Sequence, residues 1–107
     1  SNYIASLGTK DKITPIGFSL GPAYPNPFNP VTNFDLRIPS TDMVSISVFD
    51  ILGRNIFSIH KGVLVSGHYQ FSWAGKDWKG NSMPSGTYFV MARYGKNSEI
   101  QKLLLLK

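Results

Sequence analysis

The fold class is decided by the stretch Thr32-Asn33-Phe34-Asp35-Leu36-Arg37-Ile38, in which apolar Phe, Leu and Ile alternate with polar residues. The same alternation returns a few residues later in Met43-Val44-Ser45-Ile46-Ser47-Val48-Phe49. A period of two places the apolar side chains on one face of a β-strand and the polar ones on the other. Both stretches therefore predict strands with one buried face and one wet face, which is typical of an antiparallel sheet.

Strand signals continue along the rest of the sequence. They cover residues 54–61, 68–73, 87–94 and 98–106, and residues 62–67 are expected to form a loop or a short edge segment. The side chains expected to face inward are Phe57 and Ile59 in the first of these, and Tyr69, Phe71 and Trp73 in the second. About seven short strands without a convincing helix predict an all-β fold, an antiparallel immunoglobulin-like β-sandwich, with a small barrel as the alternative.

Length and composition limit what such a protein does. The 107 residues are enough for one domain, with residues 1–22 interpreted as a linker or the tail of a preceding domain and residues 23–107 as the sandwich. The sequence has no Cys, which excludes disulfides, iron–sulfur clusters and a thiol nucleophile. The net charge of +5 is scattered, so no nucleic-acid partner is expected.

The polar residues form no pattern for catalysis or metal binding, so we expect a protein that is not an enzyme and needs no cofactor. His60, expected at a strand end, and His68, expected on a polar strand face, are interpreted as surface residues. Asp77 is the only seed of a calcium site, but together with Gly80 it more simply predicts a turn. Trp78, in the loop of residues 75–86, is the aromatic side chain that a carbohydrate-binding module would use.

The stretch Tyr24-Pro25-Asn26-Pro27-Phe28-Asn29-Pro30 carries three prolines in seven residues. Proline fixes φ and has no backbone donor, so this stretch predicts a stiff, non-helical segment that can cover a sheet edge but cannot lie in the middle of a sheet. Tyr24 and Phe28 are its expected anchors. The segment is interpreted either as a structural closure of the sandwich or as a recognition element.

Five pieces of the sequence, taken in order, carry a family resemblance. They are Tyr24–Pro30, Asp50-Ile51-Leu52-Gly53-Arg54, Trp73-Ala74-Gly75-Lys76-Asp77, Gly80-Asn81-Ser82-Met83-Pro84-Ser85-Gly86-Thr87-Tyr88 and Lys102-Leu103-Leu104-Leu105-Leu106-Lys107. Together they resemble the type A C-terminal sorting domain of the type IX (Por) secretion system of Bacteroidetes, whose fold is similar to the immunoglobulin-like domain of flagellar hook-capping proteins. The sequence departs from that family at Ala74, where an acidic residue is usual.

The resemblance implies a sorting function. Domains of this kind are carried by larger secreted proteins, cross the periplasm with their cargo and address an outer-membrane translocon. A sortase then commonly cuts ahead of the domain and attaches the cargo to the cell surface. The implied partners are therefore the translocon, the sortase and an N-terminal cargo domain, and the implied location is the periplasm in transit, then the cell surface or the medium. The alternative is a structural or carbohydrate-binding module of an extracellular enzyme.

The resemblance also implies a set of site residues. The recognition residues are Lys102, Leu103, Leu104, Leu105, Leu106 and Lys107, in a last strand expected to offer an edge to a partner strand. The residues with motif or structural roles are Tyr24, Pro25, Asn26, Pro27, Phe28, Asn29, Pro30, Asp50, Gly53, Arg54, Trp73, Gly75, Asp77, Gly80, Ser85, Gly86 and Tyr88. Two alternatives remain for the last strand: its leucines are ordinary core, or its edge pairs two copies of the chain into a homodimer.

Overall fold

The computed structural model describes residues 17–107, which form two antiparallel sheets packed face to face. The strands are β1 (Ser19–Leu20), β2 (Thr32–Ile38), β3 (Asp42–Phe49), β4 (Asn55–Leu64), β5 (Gly67–Trp73), β6 (Gly86–Tyr94) and β7 (Asn97–Leu105). One sheet has the order β1-β2-β5 and the other the order β4-β3-β6-β7. The predicted seven-stranded antiparallel β-sandwich is confirmed, and within residues 17–107 no helix has the length and apolar character needed to cross a membrane.

The core lies between the two sheets, where the alternating apolar residues meet. The fully buried side chains include Leu36, Ile46, Val48, Val90 and Leu103. Thr32 is the buried polar exception, and its hydroxyl donates to the Pro25 carbonyl at 2.7 Å, so no hydrogen-bonding group is left unsatisfied there. Residues 1–16 of the predicted linker lie outside the described residues, whereas Phe18 and Leu20 already belong to the core.

The region after β3 agrees with the sequence prediction at one point and differs at another. Residues 62–64 continue β4, which lies at the edge of its sheet and stays paired with β3 as far as Asp42 with Leu64, so the expected short edge segment is found there. His60 does not lie at a strand end on the surface. A register shift after Ile46 places His60 opposite Ile46 on the inward side, with its ring 5.8 Å from that of Phe71. A β-bulge of this kind changes which side chains face the core, and simple alternation does not predict it.

The sandwich has two distinct ends. At the end that we call proximal, Gly17 lies against Pro39 and the Phe18 ring stacks on Tyr94 at 5.2 Å. At the end that we call distal, Leu105 pairs with Gly86, the first residue of β6. The nine residues of β6 run from one end to the other. At the usual rise of a strand, the two ends are therefore about 27 Å apart.

Candidate recognition site at the distal end

The sequence pieces that carry the family resemblance meet at the distal end. Trp73 lies at their centre, 2% exposed, with its ring 5.7 Å from Phe28 and 5.1 Å from Tyr88. Its indole N–H donates to the Lys76 carbonyl at 2.9 Å, so the polar atom of this buried side chain is satisfied. The Trp73 side chain, at the end of β5, thus packs against both the proline segment and the start of β6.

Gly75 explains how the loop after β5 approaches the last strand so closely. Its φ is +69°, and a Cβ at this position would lie 3.4 Å from Leu105 and 3.5 Å from the Pro30 carbonyl oxygen. A residue with a side chain would be strained in this left-handed conformation, although its Cβ would make only ordinary van der Waals contacts at these distances. Gly75 therefore allows the backbone turn that brings this loop against the proline segment and β7.

The loop before β6 closes the same end. The Tyr88 hydroxyl donates to the Pro84 carbonyl at 2.6 Å, and burial raises the pKa of this hydroxyl above its usual value. The Ser85 hydroxyl oxygen accepts a hydrogen bond from the Lys107 amide at 2.9 Å. Gly86 follows and pairs with Leu105. These bonds hold the last residues of β7 against the start of β6.

The proline segment covers the outer edge of β7, as predicted from its prolines. The Asn26 side chain donates to the Lys102 carbonyl at 2.8 Å and accepts from the Leu104 amide at 2.9 Å. The Phe28 amide then donates to the Leu104 carbonyl at 2.9 Å, and the Phe28 carbonyl accepts from the Leu106 amide at 3.1 Å. We refer to these four bonds as the edge clamp.

The edge clamp corrects one expectation. The stretch from the Lys102 carbonyl to the Leu106 amide was expected to offer its backbone to a partner strand or to a second copy of the chain. Its outward groups are instead bonded to Asn26 and Phe28. A partner strand would have to break these bonds before it could form its own, so this part of β7 is closed to strand pairing in the folded domain.

The side chains of the last strand divide into two sets. Leu103 and Leu105 are 0% and 1% exposed and belong to the core, so their side chains are not presented to a partner by the folded domain. Alternation along β7 turns them inward. Leu104 is half-buried, and Leu106, Lys102 and Lys107 are exposed. Only this second set is available to contact a partner.

The two expected anchors of the proline segment behave differently. Phe28 is 2% exposed and packs on Trp73, which confirms it as an anchor. The Tyr24 side chain is 79% exposed, so its prediction as an anchor is wrong; its backbone alone is held, by hydrogen bonds of 2.7 and 2.9 Å with Asn33. The remaining members of the segment, Pro25, Asn26, Pro27, Asn29 and Pro30, are exposed.

The β3–β4 turn is built on one carboxylate. Asp50 Oδ1 accepts from the amides of Leu52 at 2.9 Å and Arg54 at 3.0 Å, and Oδ2 accepts from Arg54 Nε at 2.8 Å. The Gly53 amide donates to the Asp50 carbonyl at 3.0 Å, and Gly53 has the predicted positive φ, +80°. The prediction of a tight turn with Asp first and Gly last is confirmed.

Residues 77–81 form a second loop of the same design. Asp77 Oδ1 accepts from the amides of Lys79 at 2.9 Å and Asn81 at 2.8 Å. The Gly80 amide donates to the Asp77 carbonyl at 3.0 Å, and Gly80 has a φ of +88°. This confirms the interpretation of Asp77 as a turn residue. The shared spacing Asp-x-x-Gly-x in both places was the sequence signal that would have revealed the pair.

The paired loops expose large apolar side chains at their tips. Ile51 and Leu52 are 71% and 72% exposed in the first loop, and Trp78 is 72% exposed in the second. The two loops lie on either side of a surface depression that Met83 also lines. Isolated exposed apolar residues are ordinary, but three on adjacent loops of one end give that end an apolar rim.

The two loop carboxylates should make the stability of the domain depend on pH. Hydrogen bonds, above all from the Arg54 amide to Asp50 and from the Asn81 amide to Asp77, hold both pKa values below 3.8. A lowered folded-state pKa contributes stability that is present above about pH 4 and is lost as the pH falls through the folded-state value. We expect the double variant Asp50→Asn/Asp77→Asn to melt below the parent at neutral pH. The difference should shrink as the pH is lowered below about 4 in thermal melts. A difference that does not change with pH would contradict this.

Comparison with known proteins gives the family. A sequence profile described as the FlgD Ig-like domain matches residues 30–98, which is more than half of the sequence. The chain belongs to the FlgD Ig-like domain family. No curated protein is similar enough to count as a match.

Solved structures related to this FlgD Ig-like domain fall into two groups. FlgD from P. aeruginosa is 31% identical with a TM-score of 0.54, and the match covers 69% of this chain and 58% of that one. Dimeric latent PorU from Porphyromonas gingivalis is 17% identical with a TM-score of 0.60, covering 91% of this chain and 10% of PorU. PorZ from the same organism is 19% identical with a TM-score of 0.54, covering 86% of this chain and 12% of PorZ. At these identities PorU and PorZ share the fold.

Proposed function

We propose that this FlgD Ig-like domain is a sorting domain of the type IX secretion system, which directs a larger cargo protein across the outer membrane. The observation that carries the proposal is that three of the resembling sequence pieces meet around Trp73 at the distal end, through its contacts with Phe28 and Tyr88. The fold is also found in PorZ, which is described as a bacterial surface component of the type-IX secretion system. The match covers only 12% of PorZ, so there too the fold forms a small part of a larger protein.

The geometry suits a sorting domain whose recognition surface lies at the opposite end from the point where the cargo would be attached. Gly17, the first described residue, lies at the proximal end, whereas the exposed side chains of Lys102, Leu106 and Lys107 lie at or towards the distal end. A separation of about 27 Å between the two ends would let a translocon contact the distal end while the cargo lies beyond the proximal one. The sortase would then cut ahead of β1, because Phe18 and Leu20 already belong to the core, and the product would be released to the cell surface or the medium.

The proposed role is not catalytic. The spacing Gly-x-Ser-x-Gly occurs at Gly17–Gly21, but Ser19 lies in β1 opposite Arg37 and not on the strand-to-helix turn that a nucleophile elbow needs. Within the described residues, no three His, Cys, Asp or Glu side chains form a group that would hold a metal ion. The proposal rests on binding by side chains and backbone groups.

A secretion assay tests the function. We would place residues 1–107 behind a periplasmic signal peptide and a fluorescent cargo, in a host with a type IX system. The control lacks residues 23–107. We expect cargo at the cell surface or in the medium only when the domain is present, and mass spectrometry of the product would then locate the cut. Cargo retained in the periplasm beside a folded, protease-resistant domain would contradict the proposal.

The exposed indole of Trp78 supports a second candidate, a carbohydrate-binding module, because stacking on sugars needs an open aromatic face. Lys79 Nζ lies 5.1 Å from the centre of the Trp78 ring, so one face is already occupied by a cation. We expect polysaccharides to leave the fluorescence of Trp78 unchanged, with the variant Trp78→Phe used to subtract the signal of Trp73. Saturable quenching that disappears in Trp78→Phe would favour the carbohydrate module over the sorting domain.

A further inference from the structure

Among residues 17–107, the segments that cover the outer edge of β7 reach only half of its length. Leu104 directs both of its backbone groups away from β6 and into the edge clamp. In an antiparallel ladder every second residue does the same, so the amides and carbonyls of Ser98 and Ile100 and the amide of Lys102 also point outward. Among residues 17–107, no hydrogen bond reaches these groups. Five outward backbone groups thus form a short open ladder beside the clamp.

The strand that could have covered this ladder is held elsewhere. The Leu20 amide donates to Glu99 Oε1 at 2.8 Å, and Gln101 Nε2 donates to the Leu20 carbonyl at 2.9 Å. Glu99 and Gln101 have the same parity along β7 as the buried Leu103, so they lie on its inward face. These bonds therefore hold β1 in the opposite sheet, and among the described residues no strand lies beside Ser98 and Ile100 in the plane of the four-stranded sheet.

The outer face of the sheet beside this ladder is apolar. The Ile100 side chain is 55% exposed and lies opposite Met91. Together with Phe49, Ile51 and Phe89 these residues line a groove of about 390 Å³. An exposed apolar groove that adjoins unpaired backbone groups is the arrangement used by domains that add an extended peptide to a sheet.

Positive charges flank the groove on the same face. Lys102 lies two residues after Ile100 along β7, and Arg93 lies opposite Ser98, two residues before it. An added strand would therefore pass Ser98, Ile100 and Lys102 at successive outward positions, with Arg93 one strand farther in, behind Ser98. Antiparallel pairing of β7 with a second copy, centred on Ile100, would place Lys102 of each copy opposite Ser98 of the other, with Arg93 one strand behind it. That pairing would gather four positive charges and supply no carboxylate to the outer face, so an acidic partner fits this edge better than a second copy.

We propose that Ser98–Lys102 bind an extended peptide segment of a partner by strand addition, and that this segment carries an acidic, an apolar and an acidic residue at every second position. The apolar side chain would lie over Ile100 and Met91, and the two carboxylates would face Lys102 and Arg93. The inference deepens the proposed sorting function by naming the chemistry of its partner, and its biological role rests on that function.

Titration of the isotopically labelled chain, residues 1–107, with an end-capped heptapeptide tests the proposal. The peptide carries glutamate, isoleucine and glutamate at alternate positions, with threonine between them. We expect saturable amide shifts centred on Ser98 and Ile100. The variant Ile100→Pro removes an outward amide that makes no bond to β6, so it should weaken binding about tenfold or more while the sandwich stays folded.

A charge exchange provides a test that does not depend on how well the proline variant folds. Lys102→Glu should weaken binding of the glutamate peptide about fivefold and strengthen binding of the same peptide with lysines in place of glutamates. Lys79→Glu is the matched control: it makes the same charge change beside Trp78, whose amide bonds to Ile56 of β4, at the opposite edge of the sheet. It should bind like the parent.

Several outcomes would overturn the inference. These are shifts centred elsewhere, an unchanged affinity in both Ile100→Pro and Lys102→Glu, or amides of Ser98 and Ile100 that already resist hydrogen exchange in the unbound chain. The result is separable from that of the secretion assay. Peptide binding without surface delivery of the cargo supports the peptide-binding role of Ser98–Lys102 and counts against the sorting function. Full delivery of an Ile100→Pro fusion that no longer binds the peptide supports sorting and counts against this inference.

Discussion

Trp73→Ala is expected to destabilise the domain by about 3–5 kcal/mol, the usual cost of removing a buried tryptophan. Trp73 is 2% exposed and contacts both Phe28 and Tyr88, so the cavity would lie where the proline segment meets β6. The Lys76 carbonyl would also lose its indole donor. Since small domains have about 5–15 kcal/mol of stability in total, a large fraction of the molecules could be unfolded at 37 °C.

Urea unfolding followed by circular dichroism measures this effect, and the protein contains its own control. Trp78→Ala removes the same side chain from a site that is 72% exposed, so it should change the free energy of unfolding by less than about 0.5 kcal/mol. Trp73→Phe should fall between the two, because it keeps an aromatic ring but removes the indole N–H. If Trp73→Ala and Trp78→Ala lower the free energy of unfolding by the same amount, Trp73 does not hold the distal end together.

The second large effect is expected in secretion. The double variant Leu106→Glu/Lys107→Glu should lower delivery of a fused cargo to the surface about tenfold, equivalent to about 1.4 kcal/mol of lost recognition. Leu106 is 50% exposed, and both residues lie at the distal end. The substitutions remove an apolar contact and reverse a charge, and they leave the backbone bond of Leu106 to Phe28 in place.

The matched control is Met43→Glu/Lys61→Glu. Met43 is 51% exposed, Lys61 is also exposed, and both lie on the same four-stranded sheet away from the distal end. The control changes the net charge by the same amount and should deliver cargo like the parent. Equal losses in both variants would show that delivery responds to overall charge and not to the distal end. Thermal melts of both variants would confirm that they are folded.

Deleting the last strand would be a poorer test, although the sequence alone suggests it. Removing residues 101–107 also removes Leu103 and Leu105, which are 0% and 1% exposed. Losing two buried leucines costs several kcal/mol, so the shortened chain would fail to fold before any recognition was tested. Substitution of exposed side chains separates folding from recognition.

The sequence was most informative where a signal is local. Alternation along residues 32–38 and 43–49 predicted both strands and the faces that they bury. Asp50 with Gly53 predicted a tight turn, because an Asp carboxylate bonds the amides just ahead of it and Gly tolerates a positive φ. Each of these depends on neighbouring residues alone.

Prediction failed where a residue's environment depends on a distant part of the chain. Tyr24 and Phe28 look alike as anchors, yet only Phe28 meets Trp73, 45 positions later in the sequence. The environment of His60 depends on a register shift in the pairing of β4 with β3. Neither contact leaves a pattern in the surrounding residues.

By itself, the sequence determined the class of fold and the turns, since side-chain period and the conformational needs of Asp, Gly and Pro are properties of short segments. Only the tertiary structure decided which parts of the last strand are available. Leu103 and Leu105 are core because β7 packs on the opposite sheet, and the edge from Lys102 to Leu106 is closed because Asn26 and Phe28 fold back onto it. Exposure and edge pairing are set by contacts between segments far apart in the chain, which a single sequence does not record.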